Sequence, residues 1–167
     1  IIASSIIYKL DGQYIAKKIL REIETIFTKK TILFPAFSND LIDNKYDIKL
    51  SKPNTGDIPN LALSSLKYYR SSSPLHSFLV KGRKLNEIKK LNQITTWGQG
   101  SVFDWLYKNN ALWVSLNLEL NRGCAIHHMA EEKAKVPYRF YKLFKGKLYN
   151  DGKFLRNISE KKYSYYK

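Results

Sequence analysis

The strongest constraint on the fold is the passage from helix to strand over residues 13–37. Ile15, Ile19, Leu20, Ile23, Ile26 and Phe27 recur at helical spacing, while Lys17, Lys18, Arg21, Glu22 and Glu24 fall mostly on the other side. Such a stripe belongs to an amphipathic helix with one face turned to a core. The run that follows, Thr31-Ile-Leu-Phe-Pro-Ala-Phe37, is short, apolar and bounded by Lys29-Lys30 and Ser38-Asn39-Asp40, which predicts a buried strand. Upstream, Ile1-Ile-Ala-Ser-Ser5 reads as the end of a strand closing in a Ser-Ser turn. Strand, helix and strand at this spacing predict an α/β unit with a right-handed crossover. The chain opens as if in mid-strand, without a Met or a basic leader, so its N-terminus is expected to be incomplete.

Further along, residues 38–59 carry Asn, Asp, Pro and Gly throughout and read as a long surface loop, a length usually tied to function or mobility. Short helices are expected over 61–69 and 84–91, with a strand over 78–80 between them. Gly98-Gln-Gly100-Ser101 then opens a helix. Ser101 with Asp104 is close to a capping box, although that pattern calls for Glu or Gln. Glycines before a helix start also leave N–H groups open to an anion, but an ordinary cap is the simpler reading. Strands are expected over 111–116 and 136–143, and the Asn150-Asp151-Gly152 turn predicts a hairpin joining 147–149 to 154–155. The polar tail, 160–167, is expected to fray. Together these elements predict a single domain over 1–167, a layered α/β/α fold with a central mixed sheet and a small C-terminal β-hairpin.

Composition narrows the setting. A chain of 167 residues with 44% hydrophobic and 14% aromatic residues can bury a real core. No apolar run approaches the roughly 18–20 residues of a membrane-spanning helix. A single cysteine, Cys124, rules out an internal disulfide and a cysteine metal cluster, and a reducing, cytoplasmic setting is the default. The formal net charge of +15 favours phosphate-bearing partners: nucleic acid, an anionic membrane surface or a polyphosphorylated cofactor. Lys, Ile, Asn and Tyr are all abundant, however, and the lysines are scattered in twos and threes, as in proteins from AT-rich genomes. That compositional reading fits equally well.

The chemistry concentrates in Asn121-Arg-Gly-Cys-Ala-Ile-His127-His128-Met-Ala-Glu131-Glu132, which reads as the opening of a helix. Residues three and four apart share a helix face, so His128 stands beside Glu131, with His127 and Glu131 the alternative pair. A carboxylate orients an imidazole and raises its basicity, and histidine is the side chain best suited to move protons near neutral pH. A solvated surface contact is the plainer account of the same spacing. No phosphate loop, Rossmann glycine pattern, HExxH motif or G-x-S-x-G elbow is present.

The order of the pieces is familiar. Ser4-Ser5 follows the first strand, then come Leu33-Phe-Pro-Ala-Phe-Ser38 and Arg70-Ser-Ser-Ser-Pro-Leu-His-Ser77-Phe. Gly100-Ser101-Val-Phe-Asp-Trp-Leu-Tyr107, the His127-His128 segment and Val136-Pro-Tyr-Arg139 complete the series. In this order the chain resembles the aminoglycoside 3-N-acetyltransferase family over nearly its whole length. That resemblance implies an acetyl-CoA-dependent enzyme acetylating an amino group of an aminosugar, with no metal. It implies that His128, steadied by Glu131, takes the proton from the amine, which attacks the acetyl thioester directly while coenzyme A leaves as a thiolate. Ser4, Ser5, Ser38, Arg70, Ser71 and Ser77 fall where family members line the cofactor cleft, and Gly100 and Ser101 sit where a helix start helps hold phosphate.

The chain departs from the family at Ala3, Ser73 and Ala125, where histidine, histidine and threonine are usual, and His127 replaces an apolar residue. Residues 38–59 are compressed and the C-terminal portion is short. An inactive remnant of the family is therefore the first alternative, and a basic nucleic-acid-binding module the more remote one. Aminoglycosides are polycations that a protein at +15 repels at long range. A nucleotide- or lipid-linked aminosugar of surface-polysaccharide assembly is the better electrostatic match. The oligomeric state is left open, a homo-oligomer included.

Overall fold

The computed structural model describes residues 2–4, 12–116, 119 and 125–165, with backbone alone for 2–4 and 12–14. The chain runs β1 (Ile2–Ser4), α1 (Gly12–Ile26), β2 (Thr31–Pro35), β3 (Lys45–Asp47), α2 (Asp57–Ser64), β4 (Tyr69–Arg70) and β5 (Phe78–Gly82). It continues through α3 (Leu85–Lys89), α4 (Val102–Lys108), β6 (Val114–Leu116), α5 (His127–Ala134), β7 (Arg139–Asn150) and β8 (Lys153–Tyr165). The class is mixed α/β, as expected, and the strands are shared among three ladders. β1 pairs with β6 in parallel, β2–β5–β4 is antiparallel, and β3–β7–β8 joins a parallel pair to an antiparallel hairpin.

The antiparallel ladder carries most of the core. Successive side chains of a strand point to opposite faces. Ile32 and Phe34 of β2 pack with Ala16, Leu20 and Ile23 of α1 and with Ile58 and Ala62 of α2. On the opposite face Leu33 joins Phe78, Val80, Trp97, Val102, Phe103 and Leu106. Burial on both faces explains why this segment is apolar throughout instead of alternating. Each buried Leu, Ile or Phe contributes about 1.5–3 kcal/mol over its exposed state.

Three expectations change. Residues 38–59 are not an open loop, because they contain β3 and the start of α2, with Leu41, Tyr46 and Asp47 buried. The Asp47 carboxylate accepts hydrogen bonds from the backbone N–H groups of Lys49 (2.9 Å), Leu50 (3.0 Å), Asp151 (3.0 Å) and Gly152 (2.7 Å). One carboxylate thus ties this segment to the hairpin turn. The helix expected over 61–69 starts earlier and ends at Ser64, and Tyr69 enters β4. The hairpin is far longer than its turn signal shows. Asp151 (φ 58°) and Gly152 (φ 76°) both adopt the left-handed conformation of a tight Asp-Gly turn, but pairing extends to Arg139 opposite Tyr165. The tail up to Tyr165 is therefore β-strand, anchored by the buried Glu160 and Tyr163. Among the described residues no helix is long and apolar enough to cross a membrane.

Candidate active site

His128 and Glu131 lie on α5. Its last turn closes on Lys135 in the left-handed conformation (φ 51°), and Pro137 prevents further helix. The chain reverses there, so Arg139, the first residue of β7, comes back against the helix. His128 Nδ1 lies 2.8 Å from Glu131 Oε2, and Arg139 Nη2 lies 2.8 Å from that same oxygen. The Arg139 guanidinium, almost fully buried, also donates through Nη1 to the Tyr163 carbonyl (2.9 Å) and lies 3.6 Å from the centre of the Tyr165 ring. The Tyr138 hydroxyl donates to the other carboxylate oxygen, Oε1, at 3.1 Å.

Two donors therefore converge on one oxygen, and their own close approach follows: Arg139 Nη2 and His128 Nδ1 are 2.6 Å apart. We assign the ring proton to Nδ1, because a lone pair there would face the anionic carboxylate. The assignment leaves Nε2 as the basic nitrogen. Of the two pairings the helix spacing allows, His128–Glu131 carries this bond, and the His127 ring sits edge-on to His128 at 3.8 Å.

Burial pulls the His128 pKa down, the Glu131 hydrogen bond pushes it up, and the His127 and Arg139 charges pull it down again; the net shift is below the ordinary imidazole value. The ring is consequently neutral near pH 7. Burial alone would raise the Glu131 pKa, but hydrogen bonds from His128 and Tyr138 and the Arg139 charge hold it below the usual carboxylate value. Behind His128 stands Trp97, with ring centres 5.0 Å apart, and beyond it His76 at 4.2 Å from Trp97. Burial, then the Lys162 and His128 charges, push the His76 pKa well down. Trp97 Nε1 and His76 Nδ1 are buried without a hydrogen-bond partner.

The residues expected around the cofactor divide into groups. Ser38, Arg70, Ser71 and Ser77 come together, all buried. Arg70 donates from Nε to Ser77 Oγ (3.0 Å) and from Nη2 to the Ala36 carbonyl (2.9 Å), which also accepts from Ser77 Oγ (2.7 Å). Ser71 Oγ accepts from Phe78 N (2.8 Å), and Ser38 Oγ donates to the Pro74 carbonyl (3.3 Å). These side chains bind the end of β2 to the segment between β4 and β5. Ser101 caps α4, accepting from Asp104 N (3.1 Å), while Gly100 N donates back to the Asp104 carboxylate (3.1 Å). That is a variant of the capping box, with Asp in the place of Glu and the return bond taken from the residue before the cap. Ser4 pairs through its backbone opposite Leu116. Ser5 lies outside the described residues.

Sequence reasoning missed Arg139, Tyr138, Trp97 and Glu160 as members of the site and its support. Glu160 accepts from Ser73 Oγ (2.6 Å), Thr96 Oγ1 (2.7 Å), Leu75 N (2.9 Å) and Gln93 Nε2 (3.0 Å). Ser73, one of the family departures, is thus a ligand of the buried carboxylate. The only signal for Arg139 was its place in the Val136-Pro-Tyr-Arg piece. His127, His128 and Glu131 offer donor atoms within 4.8 Å of one another, the spacing of a metal site. Both Glu131 oxygens are already occupied and a guanidinium adjoins His128, which disfavours a metal cation.

On this mixed α/β scaffold an imidazole is thus paired with a carboxylate that is itself locked by an arginine. The chain belongs to the aminoglycoside 3-N-acetyltransferase family, which it matches over residues 16–166. The family transfers acetyl groups to amino groups. The fold is similar to that of the YokD protein from Bacillus subtilis (18% identity, TM-score 0.77), covering 99% of this chain and 74% of that one. It is also similar to AAC-IIIb in its binary complex with CoASH (16% identity, TM-score 0.73, 99% and 68% covered). Aminoglycoside acetyltransferase AAC(3)-IIb is a further likeness (15% identity, TM-score 0.72, 89% and 62% covered). No curated protein matches the sequence.

Proposed function

We propose that the protein is an acetyl-CoA-dependent N-acetyltransferase of an aminosugar, with His128 as general base and Glu131 as its orienting partner. The observation that carries this reading is the convergence of His128 Nδ1 and Arg139 Nη2 on Glu131 Oε2, each at 2.8 Å. It supports the Nδ1–H tautomer, with Nε2 turned away from the carboxylate. His128 Nε2 takes the proton of the attacking amine, and the Glu131 carboxylate stabilises the resulting imidazolium. Arg139 balances the carboxylate, so that the resting ring is not drawn into protonation.

The similar AAC-IIIb binds CoASH, and we extend acetyl-CoA to this chain as cosubstrate. The residues fit an acyl donor: a neutral base stands beside the partnerless indole N–H of Trp97. When bound, acetyl-CoA supplies an activated thioester. We extend cofactor contact to the segments that Ser38, Arg70, Ser71 and Ser77 bind together, to Gly100 and Ser101 at the start of α4, and to Ser4 and Ser5.

The acceptor we propose is a phosphate-bearing, nucleotide- or lipid-linked aminosugar met in the cytoplasm, because a surface at +15 attracts such a ligand and repels a polycationic antibiotic. Release of the coenzyme A thiol is measured with a nucleotide-linked aminosugar, its dephosphorylated sugar and an aminoglycoside. The nucleotide-linked acceptor is expected to give the highest kcat/KM, falling as salt screens the charge. Preference for the aminoglycoside would overturn the choice of substrate while leaving the transferase standing.

A further inference from the structure

The far end of the antiparallel ladder holds a cavity of about 650 Å³, which the acetyl-transfer reading does not use. Its volume is typical of small-ligand pockets, about 300–1,000 Å³. It lies at the opposite end of β2 from the contacts that lead to His128. Phe37, just beyond the Pro35 end, packs on His76 and so leads to Trp97 and His128, whereas the cavity opens at the Thr31 end.

Strand register builds a cationic rim there. Thr31 lies opposite Gly82, so Lys29-Lys30, entering β2, adjoins Arg83-Lys84, leaving β5. Gly82 permits this approach: its φ is +127°, and a Cβ would lie 2.2 Å from the Lys30 carbonyl oxygen. The Lys84 N–H is held by Thr31 Oγ1 at 2.9 Å. All four cationic side chains are exposed and line the cavity, and among the described residues none of the lining side chains is acidic. Lys84 Nζ donates to Asn109 Oδ1 and lies 4.0 Å from the Glu87 carboxylate, which also accepts from Trp105 Nε1 at 2.9 Å. Like charges set together across a ladder are destabilising. An anion relieves that repulsion. The remaining lining is largely apolar, with Ile32 and Val114 on one face of β2 and Leu33, Leu106 and Trp105 on the other.

We propose that this cavity is a second binding site, for a phosphate monoester carried on an apolar chain. The dianionic head sits among Lys29, Lys30, Arg83 and Lys84, and the chain lies on the apolar lining beside Trp105. Neither part of such a ligand suffices alone. Inorganic phosphate lacks the chain, and an alcohol of the same length lacks the charge.

Decyl phosphate, inorganic phosphate and decanol are each titrated into the intact protein by calorimetry and by tryptophan fluorescence, with Trp105→Phe identifying the reporting indole. Saturable one-site binding of decyl phosphate is expected, at least about a hundredfold tighter than inorganic phosphate. Arg83→Gln/Lys84→Gln should weaken it by about tenfold or more, while the charge-matched pair Lys145→Gln/Lys161→Gln on the hairpin should leave it unchanged. All four substituted side chains are exposed, so the fold is not at stake. Equal loss in both double variants would reduce the effect to overall charge and overturn the site, as would decyl phosphate binding no tighter than phosphate or decanol. The readout is independent of acetyl transfer, so its failure leaves that reading untouched.

Discussion

His128, Glu131 and Arg139 make opposite demands on one proton, and that opposition can be tested at the level of single residues. Glu131 raises the basicity of His128 while burial and Arg139 lower it. The acid limb of kcat/KM is therefore expected below the ordinary imidazole value of about 6.5. Removing Arg139 as Arg139→Gln takes away a nearby positive charge, and the limb moves to higher pH. Removing the carboxylate as Glu131→Gln moves it to lower pH and also lowers kcat/KM, because the ring loses its orientation. Limbs that stay in place in both variants would show that neither group tunes the base. An NMR titration of the His128 ring gives the same comparison without any acceptor. The His128–Glu131 pair was readable from helix spacing alone. Arg139 was not, because it reaches Glu131 only after a left-handed turn at Lys135, a residue whose type does not announce that conformation.

At the scale of elements, two buried carboxylates replace what local sequence would assign to loop and tail. Burial alone would raise the Asp47 pKa, but the N–H groups of Gly152, Leu50, Lys49 and Asp151 hold it below the usual value. A depressed carboxylate contributes stability that is full above its unfolded value, about 3.9, and is lost as pH falls through the folded one. Asp47→Ala is expected to cost about 3 kcal/mol near neutrality and to flatten the acid side of the stability curve, measured by urea unfolding from about pH 2 to 6. Glu160 has the opposite sign. Burial raises its pKa against the pull of the Ser73, Leu75 and Thr96 hydrogen bonds, so its charged form is the costlier one. Glu160→Ala, which orphans those donors, is expected to cost about 3 kcal/mol and to loosen β8. Neither role could be read from sequence, since the partners of Asp47 at the hairpin turn and those of Glu160 on the loops before α4 are remote along the chain. The Asp-Gly turn itself was readable because its left-handed geometry is written in two adjacent residues.

For the whole molecule, the amphipathic α1 was evident from its helical period and the doubly buried β2 from its short, unbroken apolar run. The division of the strands into three ladders was not, since pairing is settled between distant segments: β1 with β6, β3 with β7. Of the two sites proposed, the acetyl-transfer site lies toward the Phe37 end of β2 and the rimmed cavity at the Thr31 end. Family membership secures the chemistry class, and the geometry around His128 supports the proposal that this residue acts as the base. The most direct test is acetyl-CoA titrated by calorimetry into the wild type and His128→Gln, followed by thiol release with a nucleotide-linked aminosugar. Both proteins should bind acetyl-CoA alike, and His128→Gln should lose about 10²–10⁴-fold in turnover. Absence of binding by the wild type, or turnover undiminished in His128→Gln, would contradict the account.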